Sequence, residues 1–273
     1  MDDITFFGLR DHEEPTLWSF DVERRLCSGI GALFGGAGLG AAITALEHYT
    51  HRPTVWATAQ FLEFALPPAE LEITVEEMVR GHQVSQARAV GRVDGKEIFT
   101  VQAALGERDV PFLGQWAERP DVPPPEDCVG REIPPHMRGT ISERMDMRLA
   151  DARDFTELDG VAGTGRCSLW VRLPEFLEMS AAALAIVGDY VPFGISQALG
   201  QRAGGNSLDN TLRICSRTPT EWILADVRIH AVEHGFGHGL VHLWGEDGTL
   251  LATASQSAIV RKFREDMIQE NQK

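Results

Sequence analysis

The segments VDGKEIFTVQAAL (93–105) and EDGTLLATASQSA (246–258) share an acidic-glycine turn followed by a β-rich run, and their Asp-Gly pairs lie 247 − 94 = 153 residues apart. An Asp-Gly between alternating apolar segments marks a hairpin, because Gly takes the positive φ that a tight turn of the right twist demands. Two such units at a domain-sized spacing imply one architecture written twice. The chain has 273 residues, enough for two such units, each of roughly 100–150 residues with a core of its own.

Between 107 and 136 lie Pro111, Pro120, Pro123, Pro124, Pro125, Pro134 and Pro135, half of the chain's 14 prolines. Such a stretch suits neither a helix interior nor a central strand and reads as a linker. Before it the pattern predicts a strand over 17–26, then a helix from Phe34 through FGGAGLGAAITALEHYT. That helix is apolar nearly all round, which suits a central helix enclosed by a sheet. Strands follow near 57–64, 71–80 and 84–93, with a fourth after Asp94-Gly95. Beyond the linker the order recurs. Strands near 138–149 and 167–173 precede an apolar helical region over 180–201, and further strands fall near 207–215, 221–233, 238–244 and 250–261. The boundaries are therefore a first unit over 1–107, a linker over 108–137, a second unit over 138–264 and a polar tail over 265–273. The fold class is α+β, with each unit a curved antiparallel sheet wrapped around a central helix.

Hydrophobic residues make up 43% of the chain and charged residues 24%, as in packed domains rather than disordered chains. With 40 acidic against 25 basic residues the net charge is −15. That charge repels a polyanion, so nucleic acid is not an expected partner. The acidic start, MDDITFFGLRDHEEP, lacks the basic and apolar segments of a secretory signal. No apolar run approaches the roughly 20 residues that cross a bilayer, so membrane insertion is not expected. Cys27, Cys128, Cys167 and Cys215 are scattered without a CxxC pair, the pattern of reduced thiols, and the expected location is the cytoplasm.

Three local signals are set aside. His230, His234, His238 and His242 recur every four residues, but Gly235, Gly237 and Gly239 interrupt them. The stretch reads as two strands joined by a glycine turn, not as a metal-binding helix face. GAGLGA from Gly36 approximates a dinucleotide fingerprint without a βαβ unit around it, and helix packing explains its glycines better. GISQA from Gly194 nearly matches a nucleophile elbow, yet a helical region rather than a strand precedes Ser196.

Polar residues interrupt the apolar pattern in only one copy's helix and last strand. FGG at 34–36, the Asp of GDYVPF at 188–193, SLD at 207–209 and SQSAIVR at 255–261 together resemble the acyl-CoA thioesterase II family. The resemblance covers most of the chain in order and spacing. It implies a double hotdog, two tandem units that hydrolyse fatty-acyl-CoA thioesters, with an Asp, a Thr or Ser, and a Gln around an attacking water. By position these correspond to Asp189, Ser207 and Gln256. The family often has Thr where Ser207 stands, and commonly a His where Thr58 stands in the first copy.

Thioester hydrolysis needs an oriented water, a group to take its proton, and donors for the oxyanion. Asp189 is the expected acceptor. It precedes Pro192 by three residues, so the helix is expected to break there, with Asp189 capping the restart and staying ionised near its positive end. Gln256 and Ser207 offer a donor and acceptor each for holding the water. If the strand register slips, Asn206, Asn210 or Thr211 takes the place of Ser207. Backbone N–H groups at Gly35 and Gly36, opening the first helix, are the candidate oxyanion donors. No metal or organic cofactor is implied. Arg80, Arg88, Arg213 and Arg261 are candidates for the phosphates of coenzyme A. The rival readings are a protein that binds acyl-CoA or lipid without turnover, and an enoyl-CoA hydratase, which needs an Asp and His pair in the site and for which no DxxxxH spacing follows a helix start. Exposed sheet edges lead to the expectation of a homo-oligomer.

Overall fold

The structure, a computed structural model, describes residues 1–173 and 179–262. A short helix α1 (Asp3–Phe7) precedes β1 (Arg10–Asp11) and β2 (Leu17–Val22). The helix α2 (Gly35–Thr50) follows, then β3 (Thr54–Phe61), β4 (Ala69–Arg80), β5 (Val84–Val93) and β6 (Lys96–Gly106). The second half contains β7 (Val129–Gly130), β8 (Asp146–Asp151), β9 (Arg166–Arg172), helices α3 (Ala181–Val187) and α4 (Val191–Leu199), and β10 (Ala203–Ser207). It closes with β11 (Asp209–Ile214), β12 (Ile223–Glu233), β13 (Phe236–Gly245) and β14 (Leu250–Lys262). The polar tail lies outside the described residues.

The strands form one antiparallel sheet in the order β1-β2-β4-β5-β6-β3-β11-β14-β13-β12-β9-β8-β7, with β10 also paired to β14. The order β2-β4-β5-β6-β3 is mirrored as β9-β12-β13-β14-β11, so the two units meet where β3 pairs with β11. In that seam Thr58 stands opposite Thr211, its own counterpart 153 residues on, and their hydroxyls lie 2.6 Å apart. A pseudo-twofold axis passes through this pair. The architecture is the expected double hotdog.

Alternation explains how the sheet takes hold of the helices. In β4, Leu71, Ile73 and Val75 are buried while Glu70, Glu72 and Glu76 face out, the period of two that turns one face inward. On that face lies α2, buried continuously from Gly36 to Leu46. It is apolar on all sides because sheet packs on one flank and α3 on the other.

The two Asp-Gly turns differ. Val93 pairs with Lys96 around Asp94 and Gly95 at φ 50° and 76°, the two-residue loop whose twist suits a hairpin. At Asp247-Gly248 only Gly248 has positive φ, and the loop spans 245–249, closed by the Gly245 N–H on the Thr249 carbonyl. The glycine turn between β12 and β13 is formed as expected, with His234 and Gly235 at φ 51° and 80°.

Several boundaries need correction. The first strand ends at Val22, and residues 24–26 form a 3-10 turn. The segment 138–145 is not strand but a loop with a 3-10 turn at Ile141–Arg144, entered through Gly139 at φ 70°. The helical region over 180–201 is two helices, because Pro192 has no N–H to continue the first. Its span Ala181–Leu199 is, contrary to the sequence reading, 19 residues long and apolar enough to cross a membrane by length and composition, and it is mostly buried inside the fold.

The linker is more than a spacer. Its Pro123 carbonyl accepts the indole N–H of Trp170 at 2.8 Å, and Gln115 exchanges hydrogen bonds with Gly248 and Leu250. Ala117, Val122 and Cys128 thereby complete a second cluster with Trp170, Trp222, Leu224 and Trp244 on the outer face. The outermost strands, β1 and β7, have two residues each, short enough to blunt edge pairing.

Candidate active site

Asp189 lies in the break between α3 and α4, and its side chain does not cap its own helix. The restart has few donors to offer: Pro192 has none, and the Val191 N–H donates to Gln256 Oε1 at 3.1 Å. The carboxylate reaches instead across the seam to the other copy's helix, where the Gly36 N–H donates to Oδ2 at 2.6 Å. Gly36 is the second residue of α2, whose preceding residue Phe34 supplies no side-chain cap. An oxygen on an N2 or N3 amide is the geometry of a helix cap, here supplied in trans at the positive end of the dipole. Gly36 and Asp189 are themselves 153 residues apart, so the bond joins two counterpart positions.

Two glycines make this approach possible. A β-carbon at Gly35 would stand 2.9 Å from Asp189 Oδ2, and one at Gly36 would stand 2.7 Å from the Ala185 carbonyl oxygen of α3. The run that imitates a dinucleotide fingerprint therefore serves helix packing. It also sets the fate of the expected oxyanion donors. Gly35 and Gly36 do line the site, but the Gly36 N–H is taken by Asp189.

The other carboxylate oxygen, Oδ1, accepts from Gln256 Nε2, which is also 3.2 Å from Ser207 Oγ. Gln256 thus has its carbonyl oxygen on the α4 start and its amide shared between Asp189 and Ser207. The three residues named from the resemblance converge. Asp189 is 6% exposed and Gln256 3%. Burial pushes the Asp189 carboxyl up from 3.8 to about 7, against the smaller downward pull of Gln256, Gly36 and Ser207. The expectation that Asp189 stays ionised beside a helix start is thus opposed by burial: desolvation disfavours the charged form more than its donors favour it.

The register question at Ser207 is settled by a bulge. Ser207 pairs with Ala258 and Thr211 with Ser255, so β10 and β11 place one more residue in this interval than β14 does. Leu208 is turned outward and the Asp209 carboxylate accepts the Ser257 N–H at 2.8 Å. Ser207 is the hydroxyl at Gln256. Asn206 pairs with Ile259, and Thr211 sits at the seam with Thr58, away from the site. Asn210 is fully buried on the inner face, a position the sequence offered only as a substitute for Ser207.

Only one of the two pseudo-equivalent places is furnished this way. The counterparts of Asp189, Gln256 and Ser207, at the same 153-residue offset seen for Asp189 and Thr211, are Gly36, Ala103 and Thr54. Of the candidate arginines, Arg80 and Arg88 pair with Glu77 and Glu76, and Arg213 and Arg261 are exposed. Ser196, of the near-elbow, donates to the Phe193 carbonyl within its own helix.

Family models for acyl-CoA thioesterase match the chain twice, an N-terminal domain over residues 24–106 and a C-terminal domain over 122–260. Among solved structures, a protein from Novosphingobium aromaticivorans DSM 12444 provisionally described as a thioesterase is 32% identical, covering 91% of this chain and 97% of its own with a TM-score of 0.81. An acyl-CoA thioesterase II, TesB2, from Mycobacterium marinum is 20% identical over 96% of this chain and 99% of its own, with a TM-score of 0.76. A hotdog-fold protein of unknown function from Alicyclobacillus acidocaldarius is 21% identical over 93% and 96%, with a TM-score of 0.82. No curated protein matches the chain.

Proposed function

The chain belongs to the acyl-CoA thioesterase family, and from that premise we propose that it hydrolyses an acyl-CoA thioester by direct attack of water, with Asp189 as general base. The observation that carries this reading is the buried carboxylate held at both oxygens by Gly36 and Gln256. Each carboxylate oxygen keeps a further lone pair, so the group can still accept from water while its orientation is fixed. Its shift to about 7 gives a base strong enough to take a proton at neutral pH. The Ser207 hydroxyl and the second lone pair of Gln256 Oε1 supply the remaining hydrogen bonds to the water.

Attack forms the bond from water oxygen to carbonyl carbon as the water's proton passes to Asp189. Collapse of the tetrahedral intermediate breaks the C–S bond, and the coenzyme A thiolate leaves and recovers that proton. The chemistry needs no covalent intermediate.

The test is free-thiol release from short, medium and long acyl-CoAs by the purified protein, with Asp189→Asn beside it. Turnover in the native chain that falls at least about 100-fold in the variant is the expected result. The base must be deprotonated, so kcat/KM rises with pH and levels off above about 7. Full activity in the variant would remove Asp189 from the mechanism. Binding of acyl-CoA without release by the native chain would make this a carrier rather than a hydrolase.

A further inference from the structure

Asn210 is 0% exposed, and neither its Nδ2 nor its Oδ1 has a hydrogen-bond partner among the described residues. A buried amide left unpaired is costly, and native proteins keep few of them. The fold does not require an amide here. The counterpart position in the first copy is Ala57, also 0% exposed, which fills the same inner-face place with a methyl group.

Its surroundings say what the amide faces. Across β3 it stands opposite Ala59, buried on the same inner face. Across β14, one step beyond the Thr211 and Ser255 pair, it stands beside Gln256, and residues opposed in antiparallel strands present their side chains to one face. The bulge at Leu208 and Asp209 is what allows both Ser207 and Asn210 to turn inward, Asn210 level with Gln256 and Ser207 level with Ala258, two residues further along β14. The site therefore has an acceptor and two hydrogen-bonding groups for water, while the Gly36 N–H expected at the oxyanion is held by Asp189.

We infer that Asn210 is a further catalytic residue, its Nδ2–H donating to the thioester carbonyl oxygen and to the oxyanion that oxygen becomes when water attacks. The inference rests on the thioesterase reading above. As the water oxygen bonds to carbon and its proton goes to Asp189, the carbonyl electron pair moves onto the oxygen that Asn210 holds. Collapse returns that pair and expels the thiolate.

The experiment compares the native chain with Asn210→Ala, the residue type the first copy already uses. Three readouts are taken: thiol release from the best acyl-CoA substrate, thermal midpoint, and calorimetric binding of two inert ligands. One ligand is the ketone analogue in which CH2 replaces the thioester sulfur, keeping the carbonyl; the other is an S-alkyl-CoA without a carbonyl. The expected result is a fall of about 100-fold in kcat, the size typical of a lost oxyanion donor. Ketone binding weakens by about fivefold, thioether binding is unchanged, and the midpoint is not lowered. Native kcat in the variant, or equal weakening of both ligands, overturns the role of Asn210 while leaving the thioesterase reading in place. Absence of thiol release by the native chain itself brings down that reading and this one together. Asn210→Val, which refills the volume, carries the same comparison should the alanine variant not fold.

Discussion

Replacing Asp189 by Asn isolates the energetic consequence of burying a carboxyl at the seam. Burial moves its pKa from 3.8 to about 7. In the unfolded chain the group ionises at its ordinary value, so between the two values folding must take up a proton. The sign follows: stability from this group is fully present below about pH 4, declines as pH rises, and is lost above about 7. At 1.36 kcal/mol per pKa unit, the total is about 4 kcal/mol, of which about 3 kcal/mol develops between pH 5 and pH 8. The amide of the variant would not titrate. Its altered hydrogen bonds to Gly36 and Gln256 add an offset of either sign, but that offset is the same at every pH. The measurement is urea unfolding of both proteins across that range, with the difference in unfolding free energy plotted against pH. The variant should gain on the native chain by about 3 kcal/mol from the acid to the alkaline end. Parallel profiles, whatever the offset, would refute the claim that Asp189 is a desolvated carboxyl.

Gly36→Ala should cost about 2 kcal/mol, because its β-carbon would sit 2.7 Å from a backbone oxygen of α3 that cannot move cheaply; denaturant unfolding measures this, and a neutral change would mean that α3 slides freely on α2. Gln256→Met should lower kcat by about 10-fold or more and stability by about 1–3 kcal/mol, since it removes the Asp189 donor and leaves the Val191 N–H unpaired; unchanged kinetics would dismiss its role in orienting the carboxylate. Trp170→Phe, which deletes the N–H bonded to Pro123, should cost about 1 kcal/mol and speed proteolytic cutting within 108–124, read by gel; equal cutting rates would mean that the bond does not tether the linker.

Periodicity and turn chemistry carried most of the fold. Asp94-Gly95 placed a hairpin because only a narrow set of residues accepts positive φ, and the continuous apolar and small-residue run at the start of the helix, buried from Gly36 to Leu46, announced that it was enclosed. At 138–145 a strand-like pattern is misleading because hydrophobic residues such as Ile141 and Met145 are buried there from a 3-10 turn and loop. That Asp189, Ser207 and Gln256 belong together was legible in the sequence, but how they are wired was not. A local reading places an Asp before a helix as that helix's cap, whereas the acceptor's real partner is 153 residues away. The inward turn of Asn210, offered by the sequence only as a substitute for Ser207, was hidden for a related reason. Strict alternation from Ser207 would send it outward, and one extra residue at the bulge reverses that direction.

The cap in trans has a consequence for what the two copies can do apart. The amide that fixes Asp189 belongs to one half and the carboxylate to the other, so neither half alone contains a complete centre. The mirrored topology sets two equivalent positions facing each other, and the bond between Gly36 and Asp189 joins one from each half. The covalent linker then does for this pair what raised concentration does for separate molecules: it makes their meeting intramolecular. At the three counterpart positions the first copy carries Gly36, Ala103 and Thr54, and what it contributes to the buried carboxylate is one helix end.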